Sequence, residues 1–296
     1  MSAPKFLRPL PSGTDLPVLL PPARRLVQRV ERERLQGSPL ARLEARHGWF
    51  LLVVFACAAG YAQAQAPAGH PGIVATVWKW TPLLAKGFAF NIAISALAMA
   101  VGTSFGLFLG LAQLSPVTPV RKSAWFVTHF FRNAPWLVLL FYCMFLLPFK
   151  VTVLGVTIPL PDWLKATFGL SLPVMANMSE IVRGAVQSIP TGQWESASSF
   201  AFTRRQTLRM IILPQCVKRM LPPWMNLYSI LTVGTVLVSV VGVSEVMTLA
   251  GDALGSENRA DLLMPFYLYI LAWFFLYCYP IARWTVHLER RYAVNF

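Results

Sequence analysis

Charge is what this chain has least of. Asp, Glu, Lys and Arg make up 13% of its 296 residues, about half the share usual in soluble domains. No charged residue falls between Lys86 and Arg121, from Met220 to Ser244, or from Leu262 to Ala282. A helix of about 20 apolar residues crosses the hydrocarbon core of a bilayer. These windows are long enough to do so, and they exclude an ordinary soluble fold. Catalytic patterns are missing as well. No Gly-x-x-x-x-Gly-Lys-Ser/Thr loop is present, so the chain has no phosphate cradle for ATP. The four histidines (His47, His70, His129 and His287) are scattered, and no Gly-x-Ser-x-Gly elbow occurs. The four cysteines (Cys57, Cys143, Cys216 and Cys278) lack metal-site spacing, and no disulfide is expected. The residues therefore point away from an enzyme, from a metal and from a cofactor held by this chain.

What is present is 56% hydrophobic sequence, arranged as six expected spans: 49–61, 87–114, 133–148, 168–185, 224–248 and 262–282. The expected fold is an all-α integral membrane bundle of about six helices. Its basic residues set the orientation, because cytoplasmic loops collect Lys and Arg. With both termini in the cytoplasm, 21 of the 26 basic residues lie inside, leaving Lys79, Lys86, Lys150, Lys165 and Arg259 outside. The net charge of +14 is then positive-inside bias and does not imply nucleic acid.

Four regions follow. Residues 1–47 form a basic cytoplasmic tail, in which Leu26, Val27, Val30 and Leu35 are spaced either for an amphipathic helix on the membrane surface or within a disordered tail. Residues 48–62 imitate a secretory signal, but the charged stretch before them is too long for one, so an anchoring helix is expected. Residues 63–86 are expected to be a periplasmic linker, and 87–296 the main transmembrane domain.

The longest expected cytoplasmic loop runs from about 186 to 223. Pro190 and Gly192 make a turn, and Glu195 is expected in the first turn of the helix that follows, where the dipole favours an anion. Ser196 to Ser199 keep that helix slim, with Trp194, Phe200 and Phe202 as apolar anchors. A second helix is expected from Arg204 to Leu213, stopped by Pro214. A slim helix with exposed aromatics suits docking in a partner's groove. A loop lying on the membrane is the alternative.

Glu195-Ser196-Ala197, Ala201 and Ile211-Ile212-Leu213-Pro214 resemble the "EAA" signature of permeases from binding-protein-dependent ABC importers. Glu180 to Glu195, Arg132-Asn133-Ala134-Pro135-Trp136-Leu137-Val138 and Leu221 to Asn226 resemble the polar amino-acid branch. The resemblance covers about residues 87–291. It implies a bacterial inner-membrane importer subunit for an amino acid or a mimic such as an opine. It also implies a coupling helix that contacts an ATPase dimer through Gln193, Trp194, Glu195, Ser196, Ala197, Phe200, Ala201, Thr203 and Arg204. ATP and Mg would sit on that partner. A periplasmic solute-binding protein, membrane lipid and a second permease complete the implied partners.

Two departures matter. Ala201 stands where the signature has Gly, so this position is expected to avoid positive φ or to reshape the turn. Val233-Gly234-Thr235-Val236 replaces a Lys-Asp-Thr-Ser run common among relatives, which favours pairing with a different permease over a homodimer.

Polar residues within spans are the candidate pathway: Asn91 and Ser95, Asn177 and Glu180, and Ser229, Thr232 and Thr235. For Ser and Thr the competing role is packing or bonding back to their own helix. Glu180 either receives a substrate amino group or pairs with Arg183 one turn on. Glu245 is a weaker gate candidate. A secondary transporter is the principal rival reading, but no internal repeat supports it. An importer branch for another substrate class is the other.

Overall fold

The computed structural model describes residue 60, residues 71–153 and residues 156–292. By internal packing the chain divides into 1–61 and 62–296. Of the first unit only Gly60, helical and exposed, is described. The basic tail (1–47) and nearly all of the anchoring helix (48–62) lie outside the described residues, as do residues 63–70 of the linker.

The second unit is a helical bundle. In chain order its elements are α1 (Ile73–Gln113), α2 (Thr118–Asn133), α3 (Trp136–Leu146), α4 (Asp162–Gln187), α5 (Thr191–Ser199) and α6 (Arg204–Gln206). A π-helical segment (Thr207–Ile212) runs into α7 (Leu213–Gly234) and a 3-10 segment (Thr235–Val241), followed by α8 (Val246–Glu257), a 3-10 turn (Ala260–Leu262) and α9 (Leu263–Tyr292). One antiparallel hairpin interrupts the helices: β1 (Lys150–Val153) pairs with β2 (Val156–Pro159), in register Val151 with Ile158. Val and Thr dominate both strands, and β-branched residues favour the pleated state.

Several span boundaries differ from the sequence expectation. Residues 73–86, read as linker, are the first turns of the 41-residue α1. They are helical because they have a face to bury: Ile73 and Leu84 pack into a cluster with Val246, Ala250, Leu262 and Phe266. Trp80 and Lys79 also donate to Glu257 Oε1 at 2.8 and 2.7 Å. Those donors hold the Glu257 carboxyl below its ordinary range, Lys79 contributing most. The expected span 133–148 is instead a bent pair, with α2 and α3 meeting at 105°. Ala134, pushed to extended geometry by the following Pro135, makes the break at φ −73°, ψ 136°. At 11 residues α3 is only about 16 Å long, too short to cross alone.

The span expected over 224–248 ends earlier. Its helix tightens to 3-10 at Thr235 and stops at Gly242, which is left-handed at φ 88°. Pro214 does not stop the preceding helix. It is the second residue of α7, directly after the π turn, where the helix changes from π to α bonding and continues through it.

Among the described residues α1, 204–241 and 260–289 are long and apolar enough to cross a membrane, or four spans if α2–α3 counts as one. The 26-residue α4 falls outside that group. Its polar residues dilute its hydropathy, and it lies at the centre, packed against α1, α2, α3 and α7.

The seam between α1 and α4 is unusually close. Gly102, Gly106 and Gly110 sit one turn apart on α1, facing Val174, Met178 and Val182. A Cβ on Gly106 would lie 2.5 Å from Met178 Cβ, and one on Gly102 2.5 Å from Val174 Cγ1. Small residues at this spacing let helix backbones approach in lipid, where dispersion rather than hydrophobic burial drives association.

Candidate functional site

The α5 loop is built from its two ends inward. Pro190 is the N-cap of α5, at φ −55° and ψ 142°, so the helix begins at Thr191. That start places Glu195 in the second turn rather than the first, where the dipole contributes less. Gln193, Glu195, Ser196, Ser198 and Ser199 are exposed, and Ala197 is buried. The Ser198 and Ser199 hydroxyls donate to Glu195 O at 2.7 and 3.0 Å, closing the small residues on their own helix.

The aromatic residues divide. Trp194 is half-buried and packs against Ala185, Val186, Ile189, Ile212 and Cys216. Phe200 is 77% exposed, so it does not anchor the loop internally; like Glu195 it is open to its surroundings. The helix therefore has a seated side (Trp194 and Ala197) and a presented side.

Ala201 takes a left-handed conformation at φ 57°, contrary to the expectation that alanine here would avoid positive φ. Phe202 N donates to Ala197 O at 3.1 Å and Ala201 N to Ser198 O at 2.9 Å. This pair of bonds is the Schellman closure, which needs a left-handed residue at the position Ala201 occupies. Satisfying those carbonyls outweighs a strain of about 1–2 kcal/mol.

Thr203 then starts α6 with a reciprocal cap: Gln206 N donates to Thr203 Oγ1 at 3.4 Å and Thr203 N to Gln206 Oε1 at 2.9 Å. Arg204 donates to Leu114 O, just past α1, at 3.4 Å. Thr203 and Arg204 are thus engaged within the chain as well as exposed. Gln193 Oε1 accepts from Gln215 at 3.4 Å.

Of the seven candidate pathway residues, the structure brings two together by a direct side-chain bond. Asn91 and Thr235 do meet, with the amide donating to Thr235 Oγ1 at 3.0 Å and to Glu245 Oε2 at 2.8 Å. Asn91 Oδ1 accepts from Val246 N at 3.2 Å, and Glu245 Oε1 accepts from Met247 N and Thr248 N at 2.8 and 3.1 Å. All three side chains are fully buried. Glu245 is thus the N-cap of α8, and the cluster staples α8 and the 3-10 segment to α1.

Thr232, Ser229 and Asn177 bond back to Tyr228 O, Met225 O and Pro173 O. Ser95 donates to Ile92 O at 2.8 Å. Glu180 receives Arg183 Nη2 at 2.7 Å and Nε at 3.1 Å, with Arg132 Nη1 at 3.4 Å. This favours the ion-pair role over an open ammonium site.

Two further polar groups emerge only in the structure. Gln113, Thr128 and Ser179 form a buried polar triad joining α1, α2 and α4, with Gln113 Nε2 at 3.0 Å from Thr128 Oγ1 and 3.1 Å from Ser179 Oγ. Tyr228 and Tyr277 pair their hydroxyls at 2.8 Å between α7 and α9. Only an isolated Gln inside an apolar run signals the first; nothing local signals the second.

Residues 102–294 match the family described as binding-protein-dependent transport system inner membrane component. The chain is 33% identical over 212 residues to the probable amino-acid ABC transporter permease protein YckA of Bacillus subtilis, covering 72% of this chain and 90% of that one. It is 32% identical over 213 residues to the L-cystine transport system permease protein TcyB of the same organism, covering 71% and 86%. An amino acid ABC transporter solved with histidines superposes with a TM-score of 0.65 at 25% identity, over 75% of this chain and 99% of that one. The MetNI methionine ABC transporter in an inward-facing conformation shares the fold with a TM-score of 0.57 at 17% identity, over 72% and 98%.

Proposed function

The chain belongs to the binding-protein-dependent transport system inner membrane components, and from that premise we propose that it carries an amino acid or a close mimic such as an opine. It is a multi-pass transport subunit of the bacterial inner membrane, not itself an enzyme. The amino-acid assignment is supported by relatives that are themselves amino-acid and cystine permeases. The Arg132–Val138 run, which forms the bend between α2 and α3, supports it as well.

The observation that carries the mechanism is the two-sided α5. Trp194 and Ala197 seat it on the bundle, while Glu195 and Phe200 are exposed. An exposed anionic side chain and an exposed aromatic on one short helix, which starts at Pro190 and closes at Ala201, suit the groove of a separate ATPase dimer that holds ATP and Mg. Gln193, Ser196, Ala201, Thr203 and Arg204 border that contact. When the ATPase subunits close, α5 is pushed and the bundle rocks between inward-open and outward-open states. The preference of Lys and Arg for cytoplasmic loops supports a cytoplasmic α5 loop and cytoplasmic termini, with the hairpin on the periplasmic side, where a solute-binding protein delivers cargo. A second, related permease supplies the other half of the path, and lipid surrounds both. The domain so engaged takes in the whole of α1, from Ile73.

Within the path, Asn177, Glu180 and Ser229 are half-buried and stand as the polar positions a solute meets. Ser95 and Thr232 contribute polarity through their helix. Asn91 and Thr235 act by holding α8.

Glu195→Lys tests the assignment. We expect uptake and solute-stimulated ATP hydrolysis to fall by roughly tenfold or more, since a like-charge contact at an interface costs several kcal/mol. The variant should insert and accumulate normally. Unchanged uptake in membranes carrying the complete importer would sink the reading.

A further inference from the structure

We propose that Arg219 is the positioning residue that makes the α5 loop a lever instead of a hinge. This rests on α5 being the ATPase contact. Arg219, in the second turn of α7, donates Nη1 to Ser188 O at 2.6 Å and to Ser188 Oγ at 2.9 Å. Ser188 is the C-cap of α4, and only Ile189 and Pro190 separate it from α5. The final carbonyls of a helix have no partner within it, and a cation there also complements the dipole. The guanidinium therefore ties the start of α7 to the end of α4 at the point where α5 leaves.

The bond closes a ring. One side is the covalent path from α4 through Ile189 and Pro190 into α5. The other runs from α5 through Ala201, the α6 cap and the π segment to α7. Inside the ring, Trp194 sits on Ala185, Val186, Ile189, Ile212 and Cys216. Without the Arg219 bond, displacement of α5 is taken up by the turn at 188–190 and by the π segment, a helix form frequent at functional sites. With it, α4 and α7 receive the displacement together. Arg204 at Leu114 O, 3.4 Å, is a longer tether on the far side of the loop. Arg219 touches neither solute nor nucleotide.

The test uses the complete importer with its ATPase, in a background whose four cysteines are replaced. Spin labels are placed on cysteines at Gly184, where added atoms meet nothing within 4 Å, and at the exposed Lys218. The α4–α7 distance is then measured without nucleotide and in the ATP–vanadate trapped state. We expect one narrow, unchanged distance with Arg219 present, and a shifted or broadened one on trapping in Arg219→Met. The amount of ATPase that copurifies should not change. Arg219→Lys, which keeps one donor to the Ser188 carbonyl, should restore the narrow distance. A distance in Arg219→Met as narrow as with Arg219 in both states overturns the proposal. So does a change on trapping with Arg219 present, or loss of the ATPase from Arg219→Met, which would move its role to docking. Docking itself is judged by the Glu195→Lys variant, so the two readings fail separately.

Discussion

The α1–α4 seam and the α5 loop solve opposite problems with the same chain. At the seam, three glycines bring two long helices so close that no Cβ fits between them, and the facing Val174, Met178 and Val182 are buried. At the loop, nine residues of helix are held by one tryptophan, one alanine and a C-terminal closure, and most side chains are exposed. The seam buries its small residues to gain contact, while the loop exposes its small residues to present Glu195 and Phe200. A permease of this family needs both, since a push on a soft bundle would be dissipated before it reached the solute path. Close packing is concentrated at the α1–α4 seam, and accessibility at the α5 loop, the proposed partner contact.

The comparison breaks most readily at the seam. Gly106→Leu places a branched side chain where even a Cβ lies 2.5 Å from Met178 Cβ and 2.7 Å from Met175 O. Overpacking a filled core costs about 1–3 kcal/mol, occasionally more, and here backbone is among the clashing atoms. We expect the largest effect of the series: a drop of many degrees in the thermal midpoint in detergent, with reduced accumulation. A midpoint within a degree of the parent would show that the seam is loose. The same substitution at the exposed Ser196 should leave the midpoint unchanged.

A smaller loss is expected at the Asn91–Thr235–Glu245 cluster. Glu245→Gln keeps the shape but turns one acceptor into a donor. The new amide can still accept from Met247 N and Thr248 N, yet it then aims an NH2 at the Asn91 NH2. Rotating Asn91 to relieve that clash removes the acceptor of Val246 N. One buried group is left unpaired either way, at about 1–3 kcal/mol. Adding Asn91→Asp reverses the donor and acceptor roles and should recover most of the midpoint. No recovery in the double variant would argue against the bonding pattern drawn here.

How much of this was legible follows the range of the interactions. The turn into α5 is legible because Pro190 and Gly192 act within a few residues; the Thr203–Gln206 cap is just as local but appears only in the structure. The Gly102-x-x-x-Gly106-x-x-x-Gly110 stripe was equally local and was simply passed over. The bend at Ala134–Pro135 was present in the motif, but was read as part of one span. Glu245 as a buried cap was not legible: its partner Asn91 lies 154 positions away, and a carboxylate after a span looks like an ordinary loop residue. Which of the pathway residues share a surface was not legible for a related reason. Spacing along one helix places Ser229, Thr232 and Thr235 near one face, but only the packing of neighbouring helices decides whether that face meets solute or protein.

Ala201 is where local rule and tertiary demand collide, and it gives the finest test of the comparison. Alanine avoids positive φ, yet the Schellman closure of α5 requires it, and the carbonyls of Ala197 and Ser198 have their bonds only if Ala201 complies. The closure also sets the direction in which the chain leaves toward α6, and with it the angle between Phe200 and the bundle. Ala201→Gly removes the strain but frees the unfolded chain, so the two effects partly cancel. We expect a net gain of up to about 1 kcal/mol, read as slower hydrogen exchange at the amides of Ala201 and Phe202. The thermal midpoint, set by the seam, should barely move. Faster exchange at those amides would mean that Ala201 is not held left-handed in the folded protein. A large rise in the midpoint would mean that the loop, and not the seam, limits stability, which reverses the division between the two regions.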